Sequence, residues 1–172
     1  MGFSTKDDLR DLAKEPGREI IKENLNLYIN KFMPFQKKVT IKVADLIALG
    51  AVSTGQITGF ELPVGAEVTS AFANVTEALA GGTVTAATVS LGPTATWDTL
   101  LTAGNCFATG LLTARGTDLD GSVTAVYSMS ADTDLKLEFV LTGDTFDNLT
   151  DGEVDVYIDY IEHANYNAEA LP

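Results

Sequence analysis

The sequence predicts a mainly β protein, an antiparallel jelly-roll-like β-sandwich that carries an N-terminal α-helical arm. Two periodicities predict this class. After residue 35, apolar and polar residues alternate over several short runs, which is the pattern of strands with one buried face. Before residue 35, apolar residues recur every three to four positions, as in an amphipathic helix. The expected domains are a helical basic arm over residues 1–35, a sandwich over residues 36–163 and a C-terminal tail over residues 164–172.

The net charge changes sign near the same boundary. Residues 1–42 contain nine of the eleven Lys and Arg residues and six acids, a net charge of +3. Residues 43–172 contain two cations and eighteen acids, a net charge of −16. Nucleic-acid binding depends on cations that neutralise phosphate. We therefore expect the sandwich to be repelled by nucleic acid, which is not a predicted partner.

Length and cysteine content narrow the class further. The chain has 172 residues, which suits one domain with an appendage. Its single cysteine, Cys106, forms no internal disulfide, so a disulfide-stapled secreted scaffold is not expected. No run approaches the ~20 apolar residues that span a bilayer. The charged N-terminus also lacks the apolar stretch of a signal peptide, and no membrane partner is predicted.

Three features of the arm predict helices. Acids and bases recur at i,i+3 spacing through residues 7–22, and each such pair stabilises an isolated helix by a few tenths of a kcal/mol. Pro16 is typical of the first turn of a second helix, and Pro34 is expected to end it. Between the two prolines, one apolar stripe is formed at i, i+4, i+7 and i+11 by Ile21, Leu25, Tyr28 and Phe32.

The apolar stripe of the arm needs a surface on which to be buried. The sequence leaves three surfaces open: the chain's own sandwich, a neighbouring subunit, or a membrane. The membrane is disfavoured because the polar face of the helix carries both signs of charge rather than an excess of cations. The candidate partner-binding residues are the stripe and the cations around it: Arg10, Lys14, Arg18, Ile21, Lys22, Leu25, Tyr28, Phe32, Lys37 and Lys38.

Alternation of apolar and polar residues predicts the strands of the sandwich. The clearest runs cover residues 39–43, 68–73, 135–141 and 154–160. Weaker runs lie near residues 55–62, 83–91, 106–114 and 122–129. Threonine, which favours pleated sheet over helix, occurs nineteen times in residues 43–172. Turn signals rich in Gly, Pro and Asp separate the runs, so about eight short antiparallel strands are expected.

No combination of residues predicts catalysis. Nucleophilic catalysis would require Cys106 and His163 as a pair with an acid, but a cysteine at a strand start is more typical of a small buried thiol. One histidine and one cysteine also exclude the usual zinc ligand sets. The row Glu153, Asp155 and Asp159 is interpreted as a solvated strand face rather than as a glycosidase pair. We therefore expect neither enzymatic activity nor a cofactor.

Acids in turns and aromatic residues raise two further possibilities. Calcium uses hard oxygen ligands, which two clusters could supply: Asp118, Asp120 and Gly121, and Asp144, Asp147, Asn148, Asp151 and Glu153. Neither fits a twelve-residue calcium loop, and all these residue types form turns, so no metal site is predicted. Four aromatic residues could stack on a sugar but are better explained by core or interface packing: Trp97, Tyr127, Tyr157 and Tyr160.

Three segments of the chain resemble small structural proteins of tailed bacteriophages. They are a Leu-Pro-x-Gly-Ala turn within residues 57–68, a strand that ends in glycine over residues 84–92, and a final Gly-Glu-Val…Tyr strand within residues 149–160. In that family such segments frame a β-sandwich. The resemblance extends over residues 56–161 and leaves out the arm. It implies a non-enzymatic virion component of the capsid decoration, or cement, type.

The resemblance also implies partners and a location. The partners would be the major capsid protein of the virion and further copies of this chain, in a homo-oligomer that is a trimer or a dimer. The location would be the outer capsid surface, with the host cytoplasm as the site of assembly. Two alternatives stay open: a tail, collar or baseplate subunit, and a carbohydrate-binding adhesion module.

Overall fold

The computed structural model describes residues 35–93, 98–116, 119, 127–129 and 133–162. The predicted helical arm, apart from its last residue Phe35, lies outside the described residues, and so does the predicted tail. Trp97, His163 and the cluster of Asp118, Asp120 and Gly121 also lie outside them. The domain boundaries at the two ends of the sandwich therefore stay predictions.

The described elements are nine strands, one short α-helix and one 3₁₀ turn. In chain order they are β1 (Phe35–Lys42), α1 (Val43–Ile47), β2 (Thr54–Leu62), β3 (Ala66–Ala80), β4 (Ala86–Pro93), β5 (Leu101–Asn105), β6 (Gly110–Leu112), β7 (Tyr127–Ser128), β8 (Thr133–Thr142), the 3₁₀ turn (Phe146–Asn148) and β9 (Asp151–Glu162). The single described α-helix is not long and apolar enough to cross a membrane.

The strands form two sheets in which every pairing is antiparallel. The first sheet has the order β1-β9-β3-β6, and the short strand β7 also pairs with β3. The second sheet has the order β2-β8-β4-β5. One hydrophobic core joins residues from both sheets. The predictions of a mainly β chain and of an antiparallel β-sandwich are confirmed.

The core is built from alternate residues of the strands, as the period of two requires. In β8 the buried apolar residues are Leu135, Leu137, Phe139 and Leu141, and in β9 they are Val154, Val156, Ile158 and Tyr160. Burial of each such side chain stabilises the fold by roughly 1.5–3 kcal/mol. These two strands therefore match the alternation that the sequence predicted.

Strand β3 departs from simple alternation. Counting by twos from Val68 would place Phe72 on the core face, but the pairing of β3 with β9 shifts between Val68 and Ser70. This bulge reverses the faces, so Ala71 and Ala73 are buried while Phe72 is only half-buried on the outer side. The predicted grouping of Val68 with Phe72 on one face is wrong, because a bulge inserts one residue into the alternation.

Two other boundaries differ from the sequence prediction. Val43, predicted as the end of a strand, begins α1, and the carboxylate of Asp45 accepts the backbone N–H of Lys42 at 2.9 Å. An acid at this position satisfies a free N–H of the helix start. Of the predicted strand over residues 106–114, only β6 (Gly110–Leu112) is a strand, because residues 106–109 form the loop between β5 and β6.

The connections between strands gather at two ends of the sandwich. At one end, termed the loop end, lie residues 43–53, 81–85, 106–109 and 143–150. Backbone hydrogen bonds join these loops to one another and to the neighbouring strands. The N–H of Phe146 donates to the carbonyl of Val52 at 3.0 Å, and the N–H of Leu79 donates to the carbonyl of Cys106 at 2.9 Å. Phe35 lies opposite Tyr160 in the register of β1 and β9. The described chain therefore begins and ends at the other end of the sandwich.

We expect Phe139→Ala to lower the free energy of unfolding by about 3–5 kcal/mol, because it empties a fully buried position between the sheets. Urea denaturation measures the change. Lys136→Ala is the control, since Lys136 points out of the same strand, and its effect should stay within about 0.5 kcal/mol. Equal effects of the two substitutions would contradict the assigned core face.

Candidate interaction surface

The outer face of the first sheet carries an ordered set of polar and aromatic side chains. We define this outer face as the outward residues of β1, β9, β3 and β6. Cross-strand neighbours align in rows from β1 through β9 to β3: Gln36, Asp159 and Ser70; Lys38, Tyr157 and Phe72; Thr40, Asp155 and Asn74. Leu111 of β6 extends the third row, beside Asn74.

Asp155 is a buried carboxylate at the centre of this face. It accepts hydrogen bonds from Thr40 Oγ1 at 2.6 Å and from Lys38 Nζ at 2.7 Å, and the hydroxyl of Tyr157 lies 3.4 Å away. The residue is only 6% exposed. Burial disfavours the charged form, but the hydrogen bonds from Lys38 and Thr40 outweigh it and hold the pKa of Asp155 below its usual value. The same hydrogen bond raises the pKa of Lys38.

The predicted solvated row on β9 is therefore only partly solvated. Glu153 and Asp159 do lie on the outer face and are half-buried. Asp159 accepts a hydrogen bond from Gln36 Nε2 at 2.9 Å. Asp155 differs from them because its neighbours on β1 and β9 cover it. The cluster is a set of satisfied structural charges, which does not favour a role as paired catalytic carboxylates.

Tyr157 is held between two neighbours. The ring of Phe72 stacks on it with a centroid distance of 4.8 Å and an interplanar angle of 9°. Lys38 Nζ lies 5.6 Å from the ring centroid, on the side of β1. Tyr160, in contrast, is buried, with 4% exposure. Both faces of Tyr157 are thus occupied, and sugar stacking on Tyr157 or Tyr160 is disfavoured.

Of the ten candidate partner-binding residues, the structure describes two, Lys37 and Lys38. Lys37 Nζ donates a hydrogen bond to the carbonyl of Glu61 at 2.9 Å and lies 5.4 Å from the ring centroid of Tyr160. It thereby links the edge strand β1 to the edge strand β2 of the second sheet. Lys38 pairs with Asp155. The other eight lie outside the described residues: Arg10, Lys14, Arg18, Ile21, Lys22, Leu25, Tyr28 and Phe32.

Large apolar side chains are also exposed on the described surface. Leu111 has the highest exposure, 62%, and lies on the outer face beside Asn74. Phe107, 42% exposed, lies in the loop that precedes it. We define the apolar patch as Leu111 together with the stacked pair of Phe72 and Tyr157. Sequence alternation alone could not find this patch, because the bulge in β3 places Phe72 on this face.

A single carboxylate fastens two turns at the loop end. Asp144 Oδ2 accepts the N–H of Thr83 at 2.6 Å, while Oδ1 accepts Asn148 Nδ2 at 2.7 Å and the N–H of Thr145 at 2.9 Å. These hydrogen bonds, that from Thr83 first, hold the pKa of Asp144 well below its usual range. Gly82, with φ +52°, leaves the space for this carboxylate, since a Cβ there would lie 2.0 Å from Oδ2.

The hydrogen bonds of Asp144 explain why acids occur in this turn, which the sequence raised as a possible calcium site. Both oxygens of Asp144 are engaged by nitrogen donors, and Thr150 Oγ1 donates to Asp151 at 2.8 Å. Within the described ranges, no group of three or more His, Cys, Asp or Glu residues could hold a metal ion.

Cys106 is a core residue rather than a nucleophile. Its side chain is fully buried, and burial raises the pKa of the thiol to about 12. The thiolate, which is the reactive form, is therefore a minor species at neutral pH. Cys106 also lies at the loop end, whereas Glu162, the last described residue of β9, pairs with Ala66 at the other end.

No protein-family model and no curated protein matches the chain. A chain of the "Acidic stable capsid structure of Helicobacter pylori bacteriophage KHP30" is 15% identical, with a TM-score of 0.47, and the match covers 77% of this chain and 90% of that chain. For the "Cyanophage Pam1 capsid asymmetric unit" the identity is 16%, the TM-score 0.48, and the coverage 76% and 86%.

A more distant likeness is to the "Structure of infectious bursal disease virus Gx strain", with 16% identity, a TM-score of 0.26, and coverage of 78% of this chain and 34% of that chain. All three TM-scores lie below 0.5, so these likenesses assign neither a fold nor a function to this chain.

We expect Asp144→Asn to lower the melting temperature at pH 7, because it removes a carboxylate that hydrogen bonds from Thr83, Thr145 and Asn148 stabilise in its charged form. Since the folded-state pKa lies below the unfolded value of ~3.9, this stabilisation is complete above that value and is lost as the pH falls toward the folded pKa. The difference from the wild type should therefore shrink below about pH 4. Thermal melts from pH 2.5 to pH 7 measure it, and exposed Asp98→Asn is the control.

We expect Thr40→Val to cost about 1.5–3 kcal/mol of unfolding free energy, because it removes a hydrogen bond to the buried charge of Asp155. Thr58→Val, on the exposed face of β2, is the matched control and should change little. Urea denaturation of both variants provides the comparison. A cost no larger for Thr40→Val than for Thr58→Val would show that the Asp155 network does not stabilise the sheet.

Proposed function

We propose that this chain is a non-enzymatic structural protein of a phage virion that decorates and cements the capsid shell. The observation that supports this most is the strand order, β1-β9-β3-β6 packed on β2-β8-β4-β5. In this order the chain crosses repeatedly between the sheets and the last long strand returns beside the first, which is the arrangement of a jelly roll. Jelly rolls recur in viral capsid domains, in lectins and in cupins.

Because one fold serves many functions, the choice among these depends on the surface. A sugar-binding role would favour an open aromatic platform, whereas Phe72 and Lys38 cover the two faces of Tyr157. An enzyme with a cysteine nucleophile would need a reactive thiol, whereas Cys106 is buried. The sequence resemblance to tailed-phage structural proteins and the division of charge both support the virion role.

The proposed mechanism assigns different tasks to the two parts of the chain. The arm docks on neighbouring capsid subunits and buries the stripe of Ile21, Leu25, Tyr28 and Phe32. Apolar burial contributes roughly 25 cal/mol per Å², less the cost of ordering the arm. Lys37 and Lys38 have partners within the sandwich. The cations left for an acidic capsid surface are therefore those of the arm, among them Arg10, Lys14, Arg18, Lys22 and Lys31.

The acidic sandwich would face outward from the shell. Residues 43–172 carry a net charge of −16, and such a charge keeps protein surfaces apart and soluble. The proposed partners are the major capsid protein and further copies of this chain in a trimer or dimer. The proposed location is the outer capsid surface of the virion, after assembly in the host cytoplasm.

We expect deletion of residues 1–34 to abolish binding to capsids of the parent phage and to lower the temperature at which the particles release DNA. Phe35 is retained because it pairs with Tyr160 in β1. A co-sedimentation assay and a DNA-release melt measure the two effects. A variant in which Arg10, Lys14, Arg18 and Lys22 are replaced by Gln tests the charge contribution alone. Unchanged binding and particle stability after the deletion would overturn the cement proposal.

Cryo-electron microscopy of the particles then separates the cement role from its alternative. Density for the sandwich over the whole icosahedral shell supports a cement protein. Density confined to one vertex or to the tail would instead assign the chain to the collar, tail or baseplate.

A further inference from the structure

The apolar patch on the outer face has the chemistry of a site for a basic amphipathic helix. Leu111, with 62% of its surface exposed, lies opposite Asn74, two residues along β3 from Phe72, whose ring stacks on Tyr157. Carboxylates flank this apolar centre on the same face. Asp159 is the next outward residue after Tyr157 on β9, and Glu77 lies opposite Glu153 where β3 and β9 pair.

The charges at the centre of the face do not oppose such a ligand. Lys38 is paired with Asp155 at 2.7 Å and Lys42 with Glu153 at 3.7 Å, so both cations are compensated. The side chain of Glu77 is exposed. An apolar centre with an acidic rim selects a partner that has an apolar stripe flanked by cations, since complementary charge gives an interface its specificity.

The chain itself contains a segment of this kind. In the helix that the sequence predicts, an apolar stripe would be formed by Ile21, Leu25, Tyr28 and Phe32. Arg18 and Lys22 precede the first two of these residues by three positions. A helix from Pro16 to Met33 would be about 27 Å long at ~1.5 Å per residue. The eight residues of β1 span about 26 Å along the face, at ~3.3 Å per residue. The segment and the face therefore match in length as well as in charge.

We propose that the outer face of the first sheet binds residues 16–33 of a second copy of this chain. This inference rests on the proposed function, in which the arm links neighbouring subunits of the shell, and it assigns the apolar stripe to a neighbouring copy of this chain, so that cations such as Arg10 and Lys14 are left to contact the capsid protein. The apolar stripe would cover Leu111 and the edges of the stacked rings, with Arg18 and Lys22 against the carboxylate rim. Copies would then be linked arm to sheet, so that cementing would depend on contacts between decoration subunits as well as on contacts with the shell.

Disulfide trapping between two single-cysteine variants of the full-length chain tests the pairing. Both variants carry Cys106→Ala. One adds Leu25→Cys, and the other, which carries a distinguishing affinity tag, adds Leu111→Cys. After mixing and mild oxidation we expect a mixed disulfide dimer, which can form only between copies. Leu25→Cys mixed with Lys136→Cys is the control, because Lys136 lies on the outer face of the second sheet.

Light scattering over a concentration series gives an independent measurement. Leu111→Asp places a charge in the proposed site at an exposed position, and we expect it to raise the dissociation constant between copies by at least about tenfold. Phe107→Asp, at an exposed position in the neighbouring loop, should leave that constant unchanged.

The inference is overturned if the Leu111→Cys pair gives no more mixed dimer than the Lys136→Cys control, or if Leu111→Asp and Phe107→Asp weaken association equally. Loss of capsid binding on deletion of the arm, combined with no trapping at position 111, would retain the proposed function and reject only this pairing. Trapping at position 111, combined with full capsid binding by the arm deletion, would retain this pairing and reject the proposed function.

Discussion

The rest of the sandwich depends on the position of β9 between β1 and β3. The register joins eight residues of β1 and eleven residues of β3 to this one strand. Lys38 thus faces Tyr157, more than a hundred residues later in the chain. The first sheet is incomplete until the last strand is present, and pairing over such separations requires loop closure before any contact is gained. This topology therefore favours slow, cooperative folding.

The same strand also connects the core to the outer face. Its inward residues, such as Val156 and Ile158, fill the space between the sheets, while Asp155 and Tyr157 organise the outward side chains of β1 and β3. A change in the register of β9 would therefore exchange core and surface together, since a one-residue slip reverses both faces of a strand. Both the core and the proposed binding face therefore depend on the register of β9.

The cations of the described sandwich have mainly structural tasks. Lys38 neutralises a buried carboxylate, and Lys37 closes the gap between the edge strands of the two sheets. Lysines on an edge strand also oppose uncontrolled pairing with other chains. With these two cations engaged within the sandwich, most of the remaining cations lie in residues 1–34, which bind the acidic partner in the proposed function. In the proposed function, the basic arm binds the partner and the acidic sandwich faces outward, so the separation of charge along the chain matches the separation of roles.

The sequence alone determined that residues after 35 form a mainly β antiparallel sandwich, and it determined the faces of β8 and β9. Alternation along one strand is a local property, and the burial of Leu137 and Val156 follows it. Only the tertiary structure decided that Phe72 points outward, that Asp155 is buried, and that Leu111 lies on the same face as Phe72. Each of these depends on the register between strands that are distant in sequence. A bulge or a cross-strand partner changes the environment of a residue without changing the local pattern, so no window of sequence contains that information.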